Sequence, residues 1–348
     1  MRIGIISPRA VSLREVSRDI AQVAQYLGHT PRLMDYYADA WTLSRLLDRA
    51  IIVMAMIPVA FPPYALLNRD LLKQGVRSFI YTTVEGEPTR HTVQDWWKRD
   101  VVIVANSWYT RKKLEDAGLN VHAVVHHGVN MKAVEVAQQL VKGARRQMEY
   151  FLGPGVYFLT VASDHPRKGL DLYANVIAKV VKECKTCKFY IFTVPNAKKY
   201  FAGLDNVYVD TRYGKLTKTE ILALYGAADW YVQPSLAEGF CLPVLEAMAM
   251  GTPTIHVAYH PITEYSDPEA NIWVPYTDVD YLDTGEGLRY EIHKYNPDDM
   301  ASAIIKAADE KKDAPEDHMK RREKVRKTAS KYDIAEQYAK LITLLETV

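Results

Sequence analysis

Short apolar runs alternate with amphipathic stretches along most of the chain. Arg2–Ser7, Ile51–Met56, Ser78–Tyr81, Val101–Val104 and Val121–Val125 are continuous enough to predict buried parallel strands. Between them, Glu15–Leu27 carries Ile20, Val23, Ala24 and Leu27 at helical spacing, with Gly28 as a stop. Thr110–Ala117 predicts a short helix ended by Gly118. Met131–Leu152 is polar and helix-prone, and Gly153-Pro154-Gly155 interrupts the pattern. A second alternating series then begins, with strands at Val156–Val161, Phe189–Val194, Val207–Val209, Trp230–Gln233 and Thr254–His256. Its helices fall at Leu170–Lys182, Lys218–Ala227 and Pro243–Met250. Asp309–Lys327 is heavily charged and predicts a solvated helix, and Asp333–Leu345 carries a helical apolar stripe.

Strands that alternate with helices define an α/β chain of doubly wound parallel sheets. At 348 residues the length fits two domains. The expected division is 1–150 and 151–330, with a final helix at about 331–348 returning to the first half. Hydrophobic residues at 48% and charged residues at 25% are ordinary for a globular chain able to bury two cores. A net charge of +2 excludes a strongly basic nucleic-acid binder. The total hides an asymmetry: residues 1–150 hold 20 Lys+Arg against 14 Asp+Glu, and the remainder 24 against 28. Clusters such as Arg111-Lys112-Lys113 and Arg145-Arg146 read first as solvated helix faces, and second as an attraction to an anionic membrane surface. The opening run Ile3–Ile6 is too short for a signal sequence, so the expected location is cytoplasmic, with peripheral membrane contact through the basic half as an option. Cys184 and Cys187 form a lone pair at CxxC spacing, which fits chance or a local disulfide better than zinc. Asp278-Val279-Asp280 has the look of a metal motif but falls in a presumed loop after both sheets, so no metal site is assigned.

Chemistry concentrates in Pro234-Ser235-Leu236-Ala237-Glu238-Gly239-Phe240-Cys241-Leu242-Pro243-Val244-Leu245-Glu246. A strand ends at Gln233, a loop follows, and Pro243 opens a helix that Gly251 closes. The free amides of Gly239, Phe240, Cys241 and Leu242 then lie at the positive end of a helix dipole, an anion site suited to a diphosphate. Glu238 on the loop and Glu246 a turn inside the helix are spaced to hold two ends of one elongated ligand through its hydroxyls.

This segment resembles the family 4 retaining glycosyltransferases of GT-B fold, whose mark is Glu, seven residues, Glu, preceded by Pro-Ser and followed by Gly-x-Pro. Here the pattern is Pro234-Ser235, Glu238, Glu246 and Gly251-Thr252-Pro253. Upstream, Gly214-Lys215-Leu216 and Arg167-Lys168-Gly169-Leu170 also look like family segments. The resemblance implies two Rossmann-like domains facing across a cleft and transfer, without metal or other cofactor, from a UDP- or GDP-sugar to an unidentified acceptor. It assigns Glu238, Lys168 and Arg167 to catalysis. It assigns Gly239, Phe240, Cys241, Leu242, Glu246, Lys215 and Leu216 to the donor. On the acceptor side the candidates are Arg9, Glu85, Ser107 and His127. Three positions depart from the family. The loop after the first strand, Ser7-Pro8-Arg9-Ala10, lacks the usual glycines, and Arg9 is the candidate substitute. Glu85 stands near a usual histidine, and Arg167 replaces an arginine expected a few residues earlier. A nucleotide-sugar epimerase of similar architecture and a non-catalytic nucleotide-sugar-binding protein are the alternative readings.

Overall fold

The computed structural model describes residues 1–35 and 39–348. The first half runs β1 (Arg2–Ile6), α1 (Val11–Tyr26), β2 (Thr30–Met34), α2 (Ala40–Leu46), β3 (Arg49–Ala55), α3 (Pro62–Lys73), β4 (Arg77–Thr83), β5 (Gly86–Pro88), α4 (Trp97–Asp100), β6 (Ile103–Ala105), α5 (Trp108–Asp116) and β7 (Ala123–Val124). Helices α6 (Met131–Gln138) and α7 (Val141–Leu152) follow. The second half runs β8 (Val156–Ala162), α8 (Leu170–Glu183), β9 (Cys187–Thr193), β10 (Val207–Asp210), α9 (Lys218–Ala227), β11 (Trp230–Gln233), α10 (Leu242–Ala249), β12 (Thr254–Val257), β13 (Ile272–Val274), β14 (Tyr276–Asp283) and β15 (Leu288–Tyr295). It closes with α11 (Pro297–Asp313), α12 (Pro315–Ala329) and α13 (Ile334–Leu344).

Two six-stranded parallel sheets result, in the orders β2-β1-β3-β4-β6-β7 and β10-β9-β8-β11-β12-β13. Both are doubly wound, as the strand–helix alternation predicts. In the second sheet the winding reverses between β8 and β11, and open α/β sheets form their ligand crevice at the carboxyl ends of such a pair. Core strands such as β8 are buried along their full length, which is why they read as unbroken apolar runs. Helix α13 buries Ile334, Tyr338, Leu341 and Ile342 against the first sheet, while α6 and α7 bury Val134, Ala137 and Met148 in the second core.

A third sheet was not foreseen. β14 and β15 form an antiparallel hairpin between β13 and α11, and its inner strand pairs with β5 of the first half, Leu288 opposite Pro88 and Tyr290 opposite Gly86. Leu288, Tyr290 and Ile292 bury in the first-half core, so this hairpin straps the two halves together. Gly86 is required there, since a Cβ at that position would stand 2.0 Å from the Arg289 carbonyl oxygen.

Three other expectations need correction. Asp278 and Asp280 lie on a strand, and Asp280 pairs with Lys294 at 2.7 Å. The charged helix at 309–327 is two helices, broken before Pro315, and His318 and Val325 are buried. Proline has no N–H to continue the helical ladder, which fixes the break. Arg145 is not simply solvated: it reaches the Ala227 carbonyl at 2.9 Å and Asp229 at 3.0 Å, and covers the Tyr157 ring. Cys184 and Cys187 are joined as a disulfide at the end of α8, one of the two readings their spacing allowed.

Candidate functional site

The loops after β8 and β11 bring Arg167, Lys168 and Glu238 together at the switch point. Arg167 and Lys168 sit in a single 3-10 turn, and the Arg167 carbonyl accepts from the Leu236 amide at 2.7 Å, fixing one loop to the other. Glu238 is buried, and accepts from Lys168 Nζ at 2.5 Å, Gln233 Nε2 at 3.1 Å and Arg167 at 3.5 Å. Burial alone would raise its proton affinity, but the Lys168 and Arg167 charges outweigh burial and hold the carboxyl below the usual range. Arg167 also reaches across the cleft to Glu85 at 2.7 Å. There the balance is reversed: burial, helped by the Glu238 charge and opposed by Arg167 and Lys168, raises the proton affinity of Glu85.

Cys241, in the left-handed region at φ 73°, turns the chain into α10, which opens at Leu242, one residue earlier than Pro243 predicts. The first amides of a helix have no partner within it. Phe240 anchors this turn, stacked on Tyr265 at 5.0 Å and edge-on to His127 at 5.1 Å. Tyr265 Oη donates to the Phe240 and Cys241 carbonyls at 3.0 and 2.7 Å. From the first half, Ser107 Oγ donates to the Gly239 carbonyl at 3.1 Å. Gly239 admits no side chain, for its Cβ would stand 2.0 Å from Thr83 Oγ1 and 2.8 Å from the Val84 carbonyl oxygen.

Glu246 lies on α10, pairs with Lys218 Nζ, and is buried. Burial would lower the proton affinity of Lys218, but Glu246 and the nearby Asp19 keep it raised. Asp19 comes from α1 of the first half, and burial raises its pKa to about 6. Leu216 packs against the second core, and Lys215 is exposed beside it. His127 is buried with Nδ1 2.9 Å from Tyr81 Oη, and burial beside His126 lowers its pKa to about 3, so it stays neutral near pH 7. Arg9 pairs with Asp35 at 3.1 Å at the end of β2, where Arg14 also meets Asp35 at 2.8 Å.

Thus Glu238, Lys168, Arg167, Glu85 and the Gly239–Leu242 turn form one cluster, with Ser107 and His127 bordering it and Glu246 one helical turn away. Gln233, Lys218 and Glu264 are site residues that the sequence reading did not single out. Glu264, in the 3-10 turn after β12, accepts from the Trp108 and Tyr109 amides at 3.0 and 2.8 Å and meets His126 at 2.9 Å, capping α5 from the other half. Only Lys218 had a local signal: it lies inside the Thr217–Glu220 capping box, at the first position of α9.

Two parallel doubly wound sheets, with the switch-point loops of the second facing the first half, make a GT-B fold. The comparisons agree with that class. Residues 155–309 match the family described as Glycosyl transferases group 1. Over 346 residues the chain is 29% identical to a protein named uncharacterized glycosyltransferase 335, from Sulfolobus islandicus rod-shaped virus 1, covering 98% of this chain and 100% of that one. Among solved structures, a glycosyltransferase from Rickettsia africae ESF-5 superposes with a TM-score of 0.74 at 15% identity, over 99% of this chain and 98% of that one. The Anabaena protein HepE, solved in complex with UDP and glucose, has a TM-score of 0.70 at 11% identity over the whole of both chains. Among the described residues no helix is long and apolar enough to cross a membrane.

Proposed function

We propose that this chain transfers a sugar, with retention at the anomeric carbon, from a UDP- or GDP-sugar to an acceptor held by the first half, without a metal ion. The observation that carries the reading is the buried Glu238, paired with the half-buried Lys168 and Arg167, beside the Gly239–Leu242 turn at the switch point of the second sheet. In the reaction the bond between the anomeric carbon and the diphosphate oxygen breaks, and negative charge grows on the leaving diphosphate. Lys168, Arg167 and the α10 amides supply positive charge there, already oriented and shielded from water, which is the most effective form of electrostatic catalysis. Glu238, kept ionised by its two cationic partners, accepts hydrogen bonds from the sugar hydroxyls. Glu246 takes the ribose hydroxyls, with Lys218 as the partner it holds when no donor is bound. The complex of HepE, a protein of the same fold, with UDP and glucose supports a nucleotide ligand of this kind.

A thermal-shift screen of UDP- and GDP-sugars tests the reading directly, because a ligand bound only by the folded chain raises stability by mass action. A screen in which no nucleotide sugar moves the melting point counts against it. Turnover of the stabilising donor with and without acceptor extract then separates transfer from epimerisation and from binding alone. Two further results are expected. Glu246→Gln should raise the donor KM several-fold while kcat stays near its original value, and an unchanged KM removes Glu246 from the ribose. Transfer should survive EDTA, because the cations and the helix dipole already neutralise the diphosphate. Activity lost to the chelator and restored by manganese would overturn that part of the proposal.

A further inference from the structure

Asn106 follows β6 at the carboxyl end of the first sheet, and its side chain is fully buried. Its backbone amide donates to the Thr82 carbonyl at 3.0 Å, tying it to the end of β4. The next residue, Ser107, and Thr110 reach the Gly239 carbonyl at 3.1 and 3.4 Å, so Asn106 lies where the first half meets the Glu238–Gly239 turn. Its Nδ2 has no hydrogen-bond partner. Its Oδ1 is poorly served too. The one proton of Ser107 Oγ lies 3.3 Å from it and 3.1 Å from the Gly239 oxygen, the better target.

A buried amide whose NH2 group has no partner is destabilising, and native chains rarely keep one where an apolar residue of similar size would fit. Asn68 shows what a structural asparagine looks like in the same half: its Nδ2 donates to Ser78 Oγ and its Oδ1 accepts from the Val102 amide, both at 2.9 Å. Asn106 differs in having its donor end unspent at the cleft. We infer that Asn106 is a further substrate-positioning residue, whose Nδ2 donates to a hydroxyl of the donor sugar once donor separates the two faces that are in contact here. The inference rests on the donor reading given above. It assigns to Asn106 the sugar and not the nucleotide, because the neighbouring carboxylate is Glu238 and not Glu246.

The test compares Asn106→Ala with Asn68→Ala in the full chain, first without ligand. Removal of an unpaired amide should move the melting point by no more than ~2 °C, whereas loss of the doubly bonded Asn68 should lower it by ~5 °C or more. Equal losses would make Asn106 structural and overturn the assignment, whatever the donor proves to be. The second arm uses the nucleotide sugar that best stabilises the unmodified chain, against its own nucleoside diphosphate. Asn106→Ala should keep the shift given by the diphosphate and lose most of the additional shift given by the sugar. An undiminished additional shift overturns the inference. Failure of every nucleotide sugar on the unmodified chain would instead sink the donor reading, leaving the ligand-free comparison to decide the character of Asn106.

Discussion

Lys168→Ala is expected to lower kcat/KM by about 10²–10³-fold, the cost of removing one well-placed group that stabilises developing charge. Most of the loss should fall on kcat, since the charge on the diphosphate oxygen grows only as the glycosidic bond breaks. The same change strands Glu238. With Lys168 gone, the buried carboxylate keeps Gln233 at 3.1 Å and Arg167 at 3.5 Å, neither as close as the 2.5 Å ion pair it loses. Removing one partner of a buried pair costs about 3–5 kcal/mol. The linkage has a definite sign: the ionised Glu238 contributes stability above its unfolded pKa, lost as pH falls through the depressed folded value, and Lys168→Ala removes part of that depression. The variant should therefore melt lower than the parent at pH 7, with less difference in acid. Glu238→Gln added to Lys168→Ala should recover part of the stability without recovering turnover. Melting curves at two pH values and steady-state rates for the parent and the two variants check this. A loss below tenfold in kcat/KM would take Lys168 out of the leaving-group role.

The part of the site legible in the sequence is the part built by neighbours along the chain. Glu238, Gly239 and Glu246 share one strand–loop–helix unit, so their spacing already dictated a loop carboxylate, an exposed row of amides and a helical carboxylate. Arg167 and Lys168 were legible only through the resemblance of Arg167-Lys168-Gly169-Leu170 to a family segment. Contacts made across the cleft left no such trace. Glu264 caps α5 about 155 residues away in sequence, and Lys218 meets Glu246 through packing of separate helices. Arg9 was read as charge for the diphosphate because the glycines are missing, yet its partner in the structure is Asp35 on a neighbouring loop. The hairpin was missed for a different reason. Its outer strand is exposed and polar, which hides a strand, but β15 buries Leu288, Tyr290 and Ile292 at every second position. That period of two is the signal that could have found it.

The hairpin supplies the second large effect expected. Gly86→Ala would place a methyl carbon 2.0 Å from the Arg289 carbonyl oxygen and 2.7 Å from the Tyr290 Cα, backbone atoms that cannot swing aside. The strands must separate to admit it, which forfeits the pairing of β5 with β15 and loosens Leu288 and Tyr290 in the first core. Overpacking of this kind costs about 1–3 kcal/mol, and lost pairing adds to it. A fall in melting point on the order of 5–10 °C follows. Activity should fall further than stability, because Glu85 immediately precedes Gly86, and the Glu85–Arg167 contact at 2.7 Å depends on where β5 is held. Gly143→Ala is the control: it sits within α7 with nothing within 4 Å of the added carbon, so alanine should be neutral or stabilising by up to about 1 kcal/mol. Differential scanning calorimetry of the two variants, with donor turnover measured well below either transition, makes the comparison. If Gly86→Ala melts with Gly143→Ala and turns over normally, the hairpin is an ornament on the second domain and does not hold the two halves of the site in register.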